Sequence, residues 1–257
     1  MAMLGSEPLP VHFPESAEVP ETTWHFELRT LIYDFLVLAF GEVATIGCDQ
    51  FVYWDKTTAR ACLAPDAFVY FGAKDEHFGS WKVWERGVPQ VAVEIISDSD
   101  AIELSWEEKL QRYRRLGVSE LVWFDPEAPE HPLRIWDLVA GDLIERPLRQ
   151  PLAHSRLLGG YWLPVESADG YLTLRLSRDE QGRSLFPTAA EHHAQLFQAE
   201  AEARRTEAEA RRTEAEARRT EAEARQVAEH ALLLETEARR AAEQRIAELE
   251  AELKRRS

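Results

Sequence analysis

Residues 91–96 read Val-Ala-Val-Glu-Ile-Ile, an apolar run that a single acidic residue, Glu94, interrupts. A run of β-branched residues of this kind predicts a buried strand. A second apolar run, Leu-Ala-Pro-Asp-Ala-Phe-Val-Tyr-Phe over residues 63–71, carries Asp66 near its start. Burying a lone carboxylate costs several kcal/mol unless something compensates the charge. Two such carboxylates on two strands therefore predict a shared partner, and a divalent cation with oxygen ligands is the simplest choice.

Downstream of these strands, Lys109 lies in a segment with helical spacing. The predicted helix runs from residue 104 to residue 116, and Gly117 ends it. Its apolar residues share one face: Leu104, Leu110, Tyr113 and Leu116. Lys109 lies at the edge of that face, where its ammonium group can point to the end of a strand and act beside a cation or on an attacking water. The simpler alternative is a solvated lysine on an exposed helix face.

Several short motifs follow one another in a fixed order between about residue 21 and residue 182. They are Pro65-Asp66, Glu94-Ile95-Ile96-Ser97, Glu108-Lys109 with Tyr113, Leu116-Gly117-Val118, and Phe124-Asp125-Pro126. This ordered set resembles the Uma family of bacterial restriction endonucleases, which has the PD-(D/E)XK nuclease fold. The family often carries a helical tail rich in Glu, Ala and Arg, as this chain does after residue 188.

The resemblance implies a metal-dependent endonuclease that hydrolyses DNA. Asp66 and Glu94, helped by the carbonyl of Ile95, would hold Mg²⁺ or Mn²⁺. The literal motif has a lysine two residues after the acid, where this chain has Ile96. In this family the next helix supplies the lysine instead, which by resemblance is Lys109. An acidic residue is common one turn earlier, and Ser105 stands there in this chain.

Other residues are weaker candidates for the same site. In nucleases of this fold the first helix can contribute an acid, and Glu27 and Glu42 are the candidates here. Asp98 or Asp100 could contact a second metal ion. Residues 72–87 interleave basic and aromatic side chains, which can bind a nucleic-acid strand by stacking and phosphate contact. The simpler interpretation is that the four acids are surface groups and that the aromatic residues pin this loop to the domain.

The pattern predicts an α/β fold in which helices flank a mixed sheet, and a long helix follows. Residues 1–20, rich in proline, should form a loosely ordered arm. The nuclease-like domain should span residues 21–187 and the helical tail residues 188–257. The predicted elements before the tail are a helix over 23–40, strands over 43–54, 63–71, 91–96 and 121–125, the helix over 104–116, a hairpin of 133–138 with 142–146, and strands near 161–165 and 171–176.

The tail repeats Ala-Glu-Ala-Arg-Arg-Thr-Glu at 201–207, 208–214 and 215–221. Glutamates four residues before arginines stabilise an isolated helix, and the period of seven is typical of coiled coils. The seam of alanine and threonine would bury little area, whereas Ile246, Leu249 and the leucines near 233 are better anchors. We expect the tail to join copies of the chain into a homo-oligomer. The alternative is a lone helix stabilised by its charges.

Composition limits the choice of function. The net charge is −16, and the first 190 residues hold 17 Lys and Arg against 30 Asp and Glu. An acidic surface repels nucleic-acid phosphates. This charge favours a second hypothesis, a catalytically inactive nuclease-like binding module that oligomerises through its tail. Arg112, Arg114 and Arg115 could form a local basic patch, or only a solvated helix face.

Targeting signals and cysteine content indicate the cellular location of the protein. The first twenty residues lack a basic leader and an apolar core, and no window of about 18 apolar residues exists to span a membrane. Cys48 and Cys62 are the only cysteines. We therefore expect a cytoplasmic protein with reduced thiols that partners DNA and no membrane.

Overall fold

The computed structural model describes residues 22–74, 76–96 and 105–256. The elements follow one another as α1 (Thr23–Phe40), β1 (Ala44–Gly47), β2 (Val52–Tyr53), β3 (Cys62–Leu63), β4 (Ala67–Phe71), β5 (Trp81–Lys82), α2 (Val83–Arg86), β6 (Val91–Ile95), α3 (Trp106–Leu116), β7 (Glu120–Phe124), β8 (Leu133–Val139), β9 (Asp142–Glu145), β10 (Ala153–Ser155), β11 (Gly160–Glu166), β12 (Leu172–Ser177) and α4 (Ala189–Arg256).

A six-stranded mixed sheet carries the elements of interest. Its strand order is β1-β4-β6-β7-β8-β9. Strands β6 and β7 are parallel and are joined through α3, while the other neighbours in this sheet are antiparallel. Strand β6 is buried along its whole length, which explains its near-continuous apolar sequence. Glu94 therefore lies in the middle of the sheet.

Two apolar cores lie on opposite faces of this sheet. Helix α1 packs on one face through Leu28, Ile32, Phe35 and Leu36, together with the small antiparallel sheet β10-β11-β12. The other face is covered by Tyr113 and Leu116 of α3 and by the small sheet β3-β2-β5. Residues of β6 alternate between the two cores, with Val93 in the first and Ala92 in the second.

Two predicted strands are each broken into two. The predicted strand over 43–54 becomes β1 and β2, because Asp49 adopts a left-handed backbone with φ 57° that no strand accommodates. The predicted strand over 63–71 becomes β3 and β4, and Pro65-Asp66 forms the break. The Asp49 N–H donates to the Pro65 carbonyl over 3.0 Å, so the two breaks lie side by side. The apolar residues of the first segment change phase between Cys48 and Phe51, and Pro65 interrupts the second segment, so both breaks have a local sign in the sequence.

Helix α3 ends where the sequence predicts and begins at Trp106, two residues after the predicted start at residue 104. Ser105 caps it, since its hydroxyl accepts from the Glu108 N–H while the Glu108 carboxylate accepts from the Ser105 N–H. Gly117 ends the helix in the left-handed region, at φ 84°. Ser105, one turn before Lys109, therefore serves as the N-cap of this helix.

The predicted fold class, a mixed sheet flanked by helices and followed by a long helix, is confirmed. The chain divides into two compact units, residues 1–192 and residues 193–257. In the second unit, exposed Glu–Arg ion pairs at a spacing of four residues follow the repeats, as at Glu200/Arg204 and Glu207/Arg211. Among the described residues, none of the helices combines the length and apolarity needed to cross a membrane.

The contact between Gly47 and Phe68 gives a test of this packing. A Cβ atom at position 47 would lie 2.0 Å from the fully buried Phe68 ring. We expect Gly47→Ala to lower the free energy of unfolding by about 1–3 kcal/mol, measured by urea denaturation, because the ring has no free space to enter. Phe68→Leu should make part of that room, so the double variant should lose less than the sum of the two single losses. Additive losses would contradict the contact.

Candidate active site

The two predicted carboxylates lie next to each other at strand β6. Ala67 of β4 is opposite Val93 of β6, and Asp66, the residue before β4, accepts a hydrogen bond from the main-chain N–H of Ile95, the residue after Glu94. Both acids are buried, and the Asp66 charge acts to raise the pKa of Glu94. The chain therefore brings the predicted pair together.

Each oxygen of Glu94 has its own donor from helix α3. The Lys109 ammonium donates to Glu94 Oε1 over 2.6 Å, and the Tyr113 hydroxyl donates to Oε2 over 2.5 Å. Lys109 and Tyr113 are four residues apart, so they lie on the same side of α3. Lys109 is thus mostly buried beside Glu94, unlike a solvated surface lysine.

Burial has the largest effect on the pKa of Glu94. Removal from water raises the pKa of Glu94 to about 7 from its ordinary value of 4.5. The Lys109 charge works against this rise, while the Asp66 charge adds to it. A carboxyl group with a pKa near neutrality is typical of functional sites, where it can gain or lose a charge under working conditions.

Asp66 is held by two other partners. Its Oδ2 accepts from the Ile95 N–H over 2.7 Å, and its Oδ1 lies 2.7 Å from His25 Nε2. His25 is on the first turn of α1, where the Thr22 hydroxyl caps the helix by accepting from the His25 N–H over 3.2 Å. The imidazole and the carboxylate are both mostly buried. Asp66 thus joins α1 to β6.

A third acid, Asp49, lies beside Asp66. Partial burial raises the pKa of Asp49, the nearby Arg29 guanidinium lowers it, and the Asp66 charge raises it further. Arg29 Nη1 lies 3.0 Å from Asp49 Oδ2. The left-handed backbone of Asp49 is the kind of local strain that clusters at functional sites.

Sequence reasoning missed three groups of this site: His25, Asp49 and Tyr113. The spacing of four residues between Lys109 and Tyr113 was a usable signal for Tyr113. His25 stands immediately before the apolar face of α1, but a histidine there is more often a surface group. Asp49 was not a candidate, since its position depends on the unpredicted break after β1.

The weaker candidates fall elsewhere. Glu27 is exposed, and Glu42 is exposed and paired with Lys74, so neither takes part in the contacts around Asp66. Asp98 and Asp100 lie outside the described residues. In the 72–87 loop, Trp81 is buried against Phe68, Tyr70 and Phe78, so the loop is pinned to the domain.

Residues 16–166 match the Uma2 family, described as "Putative restriction endonuclease". Among solved structures, similarity extends to a chain from Anabaena variabilis ATCC 29413, described as "a putative nuclease belonging to DUF820". That likeness has 12% identity and a TM-score of 0.40, and covers 55% of this chain and 75% of the other. No curated protein matches this chain significantly.

The Glu94 carboxyl gives a prediction about pH. Between about pH 4.5 and 7 the folded protein keeps a proton on Glu94 that the unfolded chain has released, so the free energy of unfolding should fall as pH rises through this range. Each pKa unit is worth about 1.4 kcal/mol, which makes the loss on the order of 3 kcal/mol. Glu94→Gln should remove this part of the slope in urea denaturation at pH 5, 6, 7 and 8 with a chelator present. Glu180→Gln, on an exposed turn, should keep the wild-type slope.

Proposed function

Because this chain belongs to the Uma2 family, described as "Putative restriction endonuclease", we propose that it is a metal-dependent endonuclease that hydrolyses DNA phosphodiester bonds. Membership of this family supports a nuclease activity. We further propose that the nuclease requires a divalent metal ion, cleaves DNA and uses three particular residues. The catalytic residues would be Asp66, Glu94 and Lys109. The observation that carries the proposal is the pair of neighbouring buried carboxylates, of which Glu94 is in direct contact with the mostly buried Lys109 ammonium group.

The donor chemistry of this pair fits a hard divalent cation. Carboxylate and carbonyl oxygens are the ligands of Mg²⁺ and Mn²⁺, and Mg²⁺ commonly binds through one or two carboxylates while keeping several waters. Asp66, Glu94 and the Ile95 carbonyl would supply such a set. Among the described residues no cluster of three or more His, Cys, Asp and Glu side chains is arranged as a metal site, so the cation would depend on carbonyl and water ligands as well.

The residues of the site would have different roles in phosphodiester hydrolysis. A cation held by Asp66 and Glu94 would stabilise the charge that develops on the phosphate and lower the pKa of an attacking water. Lys109, which now donates to Glu94 Oε1, would orient that water or help to deprotonate it. Tyr113 would keep Glu94 in one rotamer through its Oε2. The Ile95 N–H would do the same for Asp66 through its Oδ2.

A second function remains supported by one observation. Each acid already has a basic partner, His25 for Asp66 and Lys109 for Glu94, so the charges are compensated without a cation. Together with the net charge of −16, this arrangement favours a catalytically inactive nuclease-like binding module that oligomerises through its tail.

The contacts of two arginines weaken the hypothesis of a basic patch on α3. Arg112 donates to the Cys62 carbonyl, and Arg114 pairs with Asp142.

Cleavage assays separate the two functions. We expect Asp66→Ala and Lys109→Ala each to lower Mg²⁺-dependent cleavage of plasmid DNA by at least about 100-fold, because each removes a group from the reacting centre. Circular dichroism should show that both variants stay folded. Single-stranded DNA and RNA, tested in parallel, would define the substrate.

Matched controls are available on the exposed surface. Asp169→Ala and Lys74→Ala remove the same side chains from exposed positions and should cleave as the wild type does. If a clean Asp66→Ala preparation cleaved normally, the assignment of the site would be wrong. A wild-type protein inert with Mg²⁺ and Mn²⁺ on all three substrates would favour the binding module.

The proposed function also concerns the domain limits, the cellular location and the oligomeric state of the protein. We propose a nuclease-like domain over 21–187 and a tail over 188–257 in a cytoplasmic protein, whereas the arm predicted over 1–20 lies outside the described residues. The tail would join copies of the chain into a homo-oligomer. Ile246 and Leu249 support this assembly, because both are exposed apolar residues one helical turn apart on α4.

Sedimentation equilibrium of the full chain tests this assembly. We expect the wild type to have a multiple of the 29.4 kDa monomer mass at micromolar concentration. Ile246→Lys with Leu249→Lys should return the protein to a monomer, because two charges would be buried at the seam. Gln244→Lys with Ala251→Lys adds the same two charges on the opposite side of the helix and should leave the mass unchanged. A wild type that is monomeric throughout would identify a lone charge-stabilised helix.

A further inference from the structure

A cavity of about 600 Å³ lies beside the proposed active site, and the roles proposed above leave it unassigned. Its walls come from the loop between β7 and β8 and from the segment that follows β9. This volume is within the range of about 300–1,000 Å³ that is typical of ligand pockets. The cavity is therefore large enough for a small molecule or for one unit of a polymer.

Strand pairing places this cavity close to Glu94. Glu94 of β6 is opposite Trp123 of β7, and Trp123 is opposite Arg134 of β8. Residues paired in this way point to the same face of the sheet, and the Arg134 guanidinium lies 5.2 Å from the centre of the Trp123 ring. Trp123 and Arg134 both line the cavity. Since neighbouring strands are about 4.8 Å apart, the backbone at Arg134 is about 10 Å from that at Glu94.

Arginines give the cavity the chemistry to bind a phosphate group. Arg134 is held by an ion pair with Glu145. Arg146 is held in the same way by Asp137. Arg149 also lines the cavity, but it is exposed, and none of the described acidic side chains pairs with it. Because a guanidinium group can donate to two phosphate oxygens at once, Arg149 is the residue best placed to meet an anionic ligand.

The other walls complement a nucleobase. Trp123 has a buried indole N–H that has no hydrogen-bond partner among the described residues. A buried donor of this kind costs about 1–3 kcal/mol until an acceptor reaches it. Gln150 and Glu130 add amide and carboxylate groups, which can bind the edges of bases. Pro147 and Pro151 add apolar surface. A nucleotide has a flat ring, acceptors on the edge of that ring and a phosphate, so it matches these walls and Arg149 together.

We propose that this cavity binds one nucleotide of the nucleic-acid strand that lies across the proposed active site, with the phosphate on Arg149 and the base beside Trp123. This inference rests on the proposed function and adds a substrate-binding site to it. Phosphates of one strand are about 3.4 Å apart along the axis of a duplex and further apart in an extended strand, so a distance of about 10 Å spans two or three nucleotides. The bound nucleotide therefore lies two or three positions from the bond to be cut.

Photocrosslinking of the full-length protein tests where the strand lies. Single-stranded DNA oligonucleotides that each carry iodouracil at one position are bound with a chelator present, so that no strand is cut, and are then irradiated. Single strands are used because a base must leave its stack to enter a cavity. We expect one labelled position to attach to Trp123 or His131, which both line the cavity, as identified by mass spectrometry.

Variants of the cavity test the same contact by affinity. In fluorescence anisotropy, Arg149→Ala should weaken binding of the oligonucleotide about 10-fold and lower the slope of log Kd against log salt concentration by about 1, because one phosphate contact is lost. Ala128→Trp should fill the cavity and remove the crosslink. Arg183→Ala removes an exposed arginine outside the cavity and should keep the wild-type affinity, salt slope and crosslink.

The remaining outcomes separate this inference from the proposed function. Crosslinks confined to other parts of the chain, or an unchanged affinity and salt slope in Arg149→Ala, would overturn the inference even if the protein cleaves DNA. A crosslink formed by free iodouridine monophosphate and by none of the oligonucleotides would also overturn it and identify a site for free nucleotides. A cavity crosslink in a protein that cleaves no substrate would support the binding site and contradict the proposed hydrolysis. The wild-type crosslink decides the question if Ala128→Trp does not fold.

Discussion

The burial of the Glu94 carboxylate in the central strand constrains the rest of the domain. A charge in the middle of a six-stranded sheet has lost its water and must find hydrogen-bond donors from nearby elements. Helix α3 provides both donors from one side, Lys109 and Tyr113. Because one helix carries both, any movement of α3 that frees one carboxylate oxygen disturbs the other. The position and rotation of α3 are therefore tied to a single residue of β6.

Asp66 shows the same requirement met in a different way. Its partners come from the main chain of β6 and from helix α1, so Asp66 contacts the helix on one face of the sheet while Glu94 contacts the helix on the other. The break between β3 and β4 is what makes this possible, because Asp66 sits outside the regular strand. Asp49, in the neighbouring break, places a third negative charge close by, and Arg29 offsets it.

A lone acid in an apolar run and helical spacing ended by a glycine are local patterns, so the sequence could predict that Glu94 lies in a buried strand and Lys109 on the helix that follows it. Helix α1 and the β8–β9 hairpin were predicted within a residue or two for the same reason. The small sheets and the contact of His25 with Asp66 depend on residues far apart in the chain. Local patterns do not show which distant segments meet, and His25 resembles a surface residue of a helix end.

The ion pairs of α4 have a consequence for how this helix meets any partner. Arginines and glutamates four residues apart pair within the same helix, as at Glu214/Arg218 and Arg239/Glu243, with side chains largely in water. Each such pair adds only about 0.3–0.5 kcal/mol, yet their sum favours a helix that forms on its own. A preformed helix loses little conformational entropy on association. Its recognition would then resemble the docking of a rigid rod more than the coupled folding of a disordered chain.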